Sequence, residues 1–229
     1  MSYVYRTDHI PRNVPHNRRP GIALAATTIT IHNTGNPSST ARNERTWLTN
    51  PTNSRTASYH IVVDEREAIE VLPLNEVGWH AGDGSKATSG NRTSIGIEIC
   101  ESGNYEKTLD NTVKLVAKML YERGWGTDRL RRHYDWSRKI CPRLMYDGGK
   151  WASWHVFVDR VNAELTKLKG VVSKVKYDEV AVKVNGADIG EVGWLTAGVT
   201  RVPVRKVAEA LGATVTYDSK TKTVIITKA

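Results

Sequence analysis

Cysteine is scarce in this chain: two residues in 229, too few for a disulfide scaffold and enough for one bridge at most. Long apolar runs are missing too. None approaches the ~18 residues that a membrane-spanning helix needs, so no membrane partner is expected. The first twenty residues, MSYVYRTDHIPRNVPHNRRP, hold no apolar segment of signal-peptide length. The expectation is a protein made in the cytoplasm without an export signal of its own. There is no long repeat and no low-complexity segment. A nucleic-acid-binding stripe is also absent. The net charge of +9 divides into +6 over residues 1–170 and +3 over 171–229. Its densest patch, RLRRH at 129–133, is too short to track a phosphate backbone. The charge favours a polyanion of another kind, and no nucleic-acid partner is expected.

What is present fits a globular protein: 39% hydrophobic and 25% charged residues, over a length that suits one mid-sized domain and one small one. TTITIH (27–32) alternates and is β-branched, so it reads as a strand. Ile29 and Ile31 share one face; Thr28, Thr30 and His32 share the other. A short helix over about 40–49 is expected to bury Trp47 and Leu48 and to stop before Pro51. SYHIVVD (58–64) and AIEVLP (68–73) read as paired strands joined by a charged turn. SIGIEIC (94–100) alternates again, with Ile95, Ile97 and Ile99 opposite Gly96, Glu98 and Cys100. Residues 109–123 form an amphipathic helix whose stripe is Leu109, Val113, Val116 and Leu120, with Gly124 at its end. A last helix covers about 153–168, striped by Phe157, Val161, Leu165 and Leu168, and Gly170 is expected to end it. RRHYDWSRKICPR (131–143) shows neither period and reads as a loop. The fold class is α/β, a mixed central β-sheet flanked by helices over residues 1–170. After KGVVSKV (169–175), residues 171–229 read as a small α+β module. VKVNGADIG holds an Asn-Gly hairpin signal, VPVRKVAEALG a short helix ended by Gly212, and ATVTYDSKTKTVIIT a second hairpin around Asp218–Thr221.

The unpatterned loop carries the chemistry. His133 and Cys141 are zinc-ligand types eight residues apart, but a catalytic zinc takes three protein ligands and keeps one position open. His32, ending a strand on the face away from Ile29 and Ile31, is the best third candidate. Glu98 also lies away from its isoleucines and has three readings: ligand, general base or solvent-facing residue. The alternative to a metal site is a buried thiol, a surface histidine and an edge-strand glutamate. Asp135 is either a ligand's hydrogen-bond partner or a turn-forming residue. Cys100, His9, His16 and His155 read as packing or surface residues.

TITIHNTG, SYHIVVD, GWHAGDG, SIGIEIC and HYDWSRKICP, in this order and spacing, resemble the type 2 N-acetylmuramoyl-L-alanine amidases. This zinc amidase family includes phage endolysins and is related to peptidoglycan recognition proteins. The resemblance covers roughly residues 1–165 and is nearest to endolysins of phages that infect Bacillus and its relatives. It implies the fold shared by those amidases and recognition proteins, and cleavage of the amide between N-acetylmuramic acid and L-alanine. It implies one Zn2+ per chain on His32, His133 and Cys141, with Glu98 as the catalytic glutamate. Lys139, two residues before Cys141, and Tyr59 map onto the residues that face the oxyanion. Where some relatives have Asp before Pro-Gly, this chain has Cys141-Pro142-Arg143. Trp79 and His80, in GWHAGDG, either line the glycopeptide groove or pack under the Gly-rich loop. The implied partners are peptidoglycan and anionic secondary wall polymers, and the implied role is host lysis after release through a phage holin. The alternative on the same fold is a non-catalytic peptidoglycan-binding protein, whose usual members lack the ligand cysteine.

The tail resembles the copper amine oxidase N-terminal-like, or stalk, domain. Residues 171–229 contain no His, Cys or Met, so a soft-metal site is not expected there. Position implies a wall-binding module, with Tyr177, Trp194 and Tyr217 as contact aromatics.

Overall fold

The computed structural model describes residues 3–173, 178–196 and 199–228. Tyr177 lies outside the described residues. The chain divides into two compact units, Met1–Lys169 and Gly170–Ala229.

The first unit runs β1 (Val4–Thr7), β2 (Thr28–Asn33), α1 (Ala41–Trp47), β3 (Ile61–Val63), β4 (Glu67–Glu70), α2 (Gly90–Thr93), β5 (Ser94–Ile99), α3 (Tyr105–Glu122), β6 (Leu130–Arg132), α4 (His133–Ser137) and α5 (Ala152–Ser173). Its six strands form one sheet in the order β1-β4-β3-β5-β2-β6. Only β3 and β4 pair antiparallel; the other neighbours are parallel. Period-two alternation sorts the side chains. Ile29, Ile31, Ile95, Ile97 and Ile99 enter a core shared with Leu109, Val113, Val116 and Leu120 of α3 and Phe157, Val161 and Leu165 of α5. Each isoleucine is at most 1% exposed, worth about 1.5–3 kcal/mol apiece relative to exposure. The opposite residues, Thr30, His32, Gly96 and Glu98, are left for the other face. Part of that face is closed by a second apolar cluster that includes Ala41 and Leu48 from the α1 region with Tyr59, Val62 and Ile69. Leu48 is buried as expected, whereas Trp47 is only half-buried.

Four local readings differ from the structure. β1 pairs in parallel register with β4 as an exposed edge strand, flanked by the Arg6–Glu67 contact, so it carried no buried apolar alternation to read. α3 starts at Tyr105 rather than 109, because the Asn104 side chain accepts from the Lys107 N–H and caps it. The loop expected at 131–143 opens instead with the end of β6 and with α4, each too short to establish a period. Gly170 does not end the last helix, which continues to Ser173; a glycine with helical φ costs only about 1 kcal/mol there.

In the second unit, β7 (Asp178–Val184), β8 (Ala187–Thr196) and β9 (Val199–Arg201) make an antiparallel three-stranded sheet. α6 (Val204–Ala210) precedes the β10 (Ala213–Asp218) and β11 (Thr223–Lys228) hairpin. The first hairpin turns on Asn185 and Gly186, at φ 51° and 83°. Positive φ at both central residues is what a tight turn between right-twisted strands requires.

One buried cation shapes the first unit. Arg18 is fully buried and, among the described residues, donates to main-chain oxygens alone: Leu48 at 2.9 Å, Asn50 at 3.3 Å, Arg55 at 2.9 Å, and Asn53. It pins the 48–55 segment that leads from α1 toward β3. Arg18→Met should strand those carbonyls in the interior, where each lost charged hydrogen bond costs about 1.5–3 kcal/mol. The expected loss is about 3 kcal/mol or more in urea denaturation of the full chain; a loss under about 1 kcal/mol would show that the segment holds itself.

Candidate metal centre

β2, β5 and β6 run parallel, and their carboxyl ends lie together, the usual place for a site on such a sheet. His32 and Glu98 are each the next-to-last residue of their strands and are direct register partners. His133 follows β6 immediately, as the first residue of α4. Asp135 accepts from the Arg132 N–H at 2.7 Å and from its guanidinium at 2.6 Å, so it caps α4 and does not touch a ligand. Arg138, at φ 64°, ends α4 in the left-handed region and turns the chain back. The Tyr134 N–H then donates to the Cys141 carbonyl at 3.1 Å, which returns Cys141 to the side of His133. Asn33 holds the segment just beyond Cys141: its Oδ1 accepts from the Leu144 N–H at 3.0 Å and its Nδ2 donates to Tyr105 at 3.2 Å. Neither Asn33 nor this clamp was visible in the sequence, because an asparagine at the end of a strand has many uses.

The ligand atoms of His32, His133 and Cys141 all lie within 4.8 Å of one another. His32 Nδ1 is 3.0 Å from His133 Nδ1 and 3.7 Å from Cys141 Sγ. Two nitrogens and a sulfur bound tetrahedrally to one zinc are separated by about 3.3 and 3.6 Å, given bonds near 2.0–2.1 and 2.3 Å. The tautomers agree with this. His80 lies 3.0 Å from the Ser94 carbonyl through Nε2, so it donates there and its Nδ1 is an acceptor. That Nδ1 is 3.1 Å from His32 Nε2, which therefore carries the proton and leaves His32 Nδ1 bare. His133 bonds the Ala81 carbonyl and faces His32 with its other nitrogen. Two bare lone pairs thus point at one place beside a thiol, and a cation reconciles them. Burial keeps the imidazoles neutral: it pulls His32 well below the usual range, His133 to about 4 and His80 to about 3, with neighbouring cationic forms adding to it. Burial, then the Glu98 charge, pushes the Cys141 thiol up to about 12, so thiolate here depends on a nearby positive charge. The donor set fits a zinc ion.

A cavity of about 560 Å³ adjoins these atoms and is lined by Glu98, Lys139, Tyr59, Trp79 and His80 as well as His133. Glu98 stands outside the ligand group. Strand β5 is internal to the sheet, so Glu98 is not the edge-strand residue of the alternative reading. Its Oε2 is shielded from water and has no hydrogen-bond partner among the described residues. Burial, then the Glu44 charge, raises the carboxyl to about 8, while Lys139 pulls the other way. Lys139 is exposed. The Tyr59 hydroxyl is 3.0 Å from the Glu44 carbonyl oxygen and 3.2 Å from its Oε2, so its proton is directed at Glu44. Trp79 is anchored by its indole N–H on the Asn17 carbonyl at 2.9 Å. His80 is foremost the partner of His32, a role the sequence reading did not assign. Cys100 is fully buried in the second apolar cluster.

Gly96 makes room for His80: a Cβ there would sit 2.6 Å from the ring. His80→Phe keeps ring volume but removes both nitrogens, so His32 loses the acceptor that sets its tautomer. Zinc affinity, measured by chelator competition, should fall about 10–100-fold. Unchanged affinity would mean that His80 only fills space.

Comparison with known proteins agrees with the geometry. The N-acetylmuramoyl-L-alanine amidase family profile matches residues 23–144, and the copper amine oxidase N-terminal domain profile matches residues 182–229. CwlA of Bacillus subtilis, an N-acetylmuramoyl-L-alanine amidase, is 36% identical over 86% of this chain and 75% of its own length. XlyB of the same organism is 45% identical over 67% of this chain, but the match spans only 47% of XlyB. The solved catalytic domain of XlyA superposes with a TM-score of 0.62 at 39% identity, covering 69% of this chain and 98% of that one. The first profile spans every residue of the metal centre, and the chain belongs to the N-acetylmuramoyl-L-alanine amidase family.

Proposed function

We propose that the chain hydrolyses the amide joining the lactyl group of N-acetylmuramic acid to L-alanine in peptidoglycan, with one Zn2+ held by His32, His133 and Cys141. The observation that carries the reading is the convergence of those three ligand atoms beside a cavity lined by Glu98 and Lys139. When bound, zinc supplies Lewis acidity toward a carbonyl oxygen and toward water. Glu98, with a raised pKa and an unengaged oxygen, takes a proton from the attacking water and delivers one to the leaving amine. Lys139 brings a positive charge to the cavity wall, where the amide oxygen gains negative charge. One such donor is typically worth about 3–4 kcal/mol. Tyr59 contributes by orientation while its hydroxyl stays on Glu44. A purely binding role on this fold would need neither Cys141 nor a shielded carboxyl. The biological setting that suits this enzyme is an endolysin made in the host cytoplasm and reaching the wall through a holin.

Mass spectrometry of digested wall should find new free L-alanine amines. Glu98→Ala should keep zinc and lose about 10²–10⁴-fold in turnover, and chelation should abolish hydrolysis reversibly. Wild-type turnover in a folded, zinc-loaded Glu98→Ala protein would remove the glutamate from the mechanism.

The second unit is proposed to hold the enzyme on the wall. Exposed Trp194 and Tyr217 and a net charge of +3 over residues 171–229 suit contacts with anionic wall polymers. Tethering raises local enzyme concentration without altering the site. A chain ending at Ser173 should cleave soluble muropeptides like the full chain and lyse cells more slowly. Equal lysis, with no wall binding by the isolated second unit, would overturn the tethering role.

A further inference from the structure

The metal cavity does not end at Tyr59. Asn36, Glu44 and Trp47 line it and also line a second cavity of about 550 Å³ along α1. The two therefore share a wall. Nothing in the catalytic mechanism uses the second one.

Its chemistry is uniform. Asn36, Asn43 and Asn50 are exposed and share one arrangement. In each, Oδ1 is engaged locally: by the N–H and hydroxyl of Ser38, of Thr40 and of Thr52, respectively. A carboxamide whose oxygen is held in this way presents its NH2 group outward. None of the three Nδ2 groups has a partner among the described residues. Trp47, half-buried, adds a flat apolar indole beside them. The cavity holds no lysine or arginine. Its one ionisable group, Glu44, is engaged with Tyr59. Arg55 and Lys139, by contrast, line the metal cavity.

A wall bearing three oriented donors, an aromatic plane and no cation fits an uncharged ligand rich in oxygen acceptors. It does not fit a stem peptide, whose carboxylates call for cations. We propose that the cavity along α1 is a subsite for the glycan strand, binding N-acetylated sugar units beyond the muramic acid whose amide is cleaved. The proposal rests on the amidase reading above. The backbone of Asn50 is held by Arg18, so one of these donors sits on a pinned segment and not on a loose loop.

Asn→Asp substitution is the sharpest test, because it keeps the engaged Oδ1 and replaces the NH2 donors by a second acceptor. Calorimetric titration of the full chain with tetra-N-acetylchitotetraose needs no catalysis, so it separates this subsite from the hydrolytic reading. Binding should weaken about five-fold in each of N43D and N50D, the value of one hydrogen bond, and vanish in the N36D/N43D/N50D chain. With hydrolysis as readout, KM should rise for glycan oligomers carrying peptides and stay unchanged for a single muramoyl-peptide, with kcat unchanged for both. No binding by the unaltered chain, or equal binding by the triple variant, would overturn the proposal. A KM change that tracks peptide length instead of sugar number would assign the cavity to the stem peptide and overturn it too. If the glycan binds as expected and no substrate is cleaved, the hydrolytic reading fails alone.

Discussion

A single main-chain carbonyl, that of Ser94, decides which nitrogen of His32 faces the metal position. It takes the proton of His80 Nε2, and His80 in turn takes that of His32 Nε2. Ser94 opens β5, the strand that pairs with β2 and carries Glu98. One strand pairing therefore sets both the His32 tautomer and the position of the Glu98 carboxyl. Gly96, between those two residues, is required for the same reason: any side chain would displace the His80 ring. The candidate metal centre is thus an extension of sheet geometry, with only Cys141 delivered by a returning loop.

The two faces of the sheet carry opposite demands, and the alternating pattern meets both. The isoleucines of β2 and β5 build the helix-packed core, which makes these strands rigid. The buried polar residues on the other face are tolerable indoors because they are bonded: Thr30 of β2 to Ser94 and to the Trp136 indole, and His60, just before β3, to the Gly96 N–H and the Glu76 carbonyl. Among these residues Glu98 is the exception, with a shielded oxygen left unpartnered. An unsatisfied buried polar atom is costly to stability, and the proton-transfer role proposed for Glu98 accounts for that cost.

What was legible in the sequence was whatever obeys a short period or a family motif. Alternation revealed β2 and β5, and the 3.6-residue stripe revealed α3 and α5. An Asn-Gly pair marked the first hairpin of the second unit, and the polar break around Asp218–Thr221 marked the second. His32, His133, Cys141 and Glu98 stood out as ligand or acid types off the apolar face. What escaped depends on contacts between segments far apart in the chain. β1 is held by its parallel ladder to β4 and the loop after Cys141 by Asn33, whereas α4 escaped for another reason, being only five residues long. His80 looked like a groove residue because its two partners lie 48 and 14 residues away. Tyr59 likewise came to light as Glu44's partner only in three dimensions.

Arg18 gives the site wall a property that ion pairs cannot. The salt bridge Arg19–Glu76 ends on a carboxylate that the Arg19 hydrogen bond holds below its usual range, and it weakens as acid protonates that carboxylate. The partners of Arg18 are peptide oxygens, and a guanidinium keeps its proton across the same range. The 48–55 segment, which supplies Thr49, Asn50 and Pro51 to the cavity along α1 and Arg55 to the metal cavity, is therefore pinned by bonds whose acceptors do not titrate, so this stretch of wall is set independently of pH.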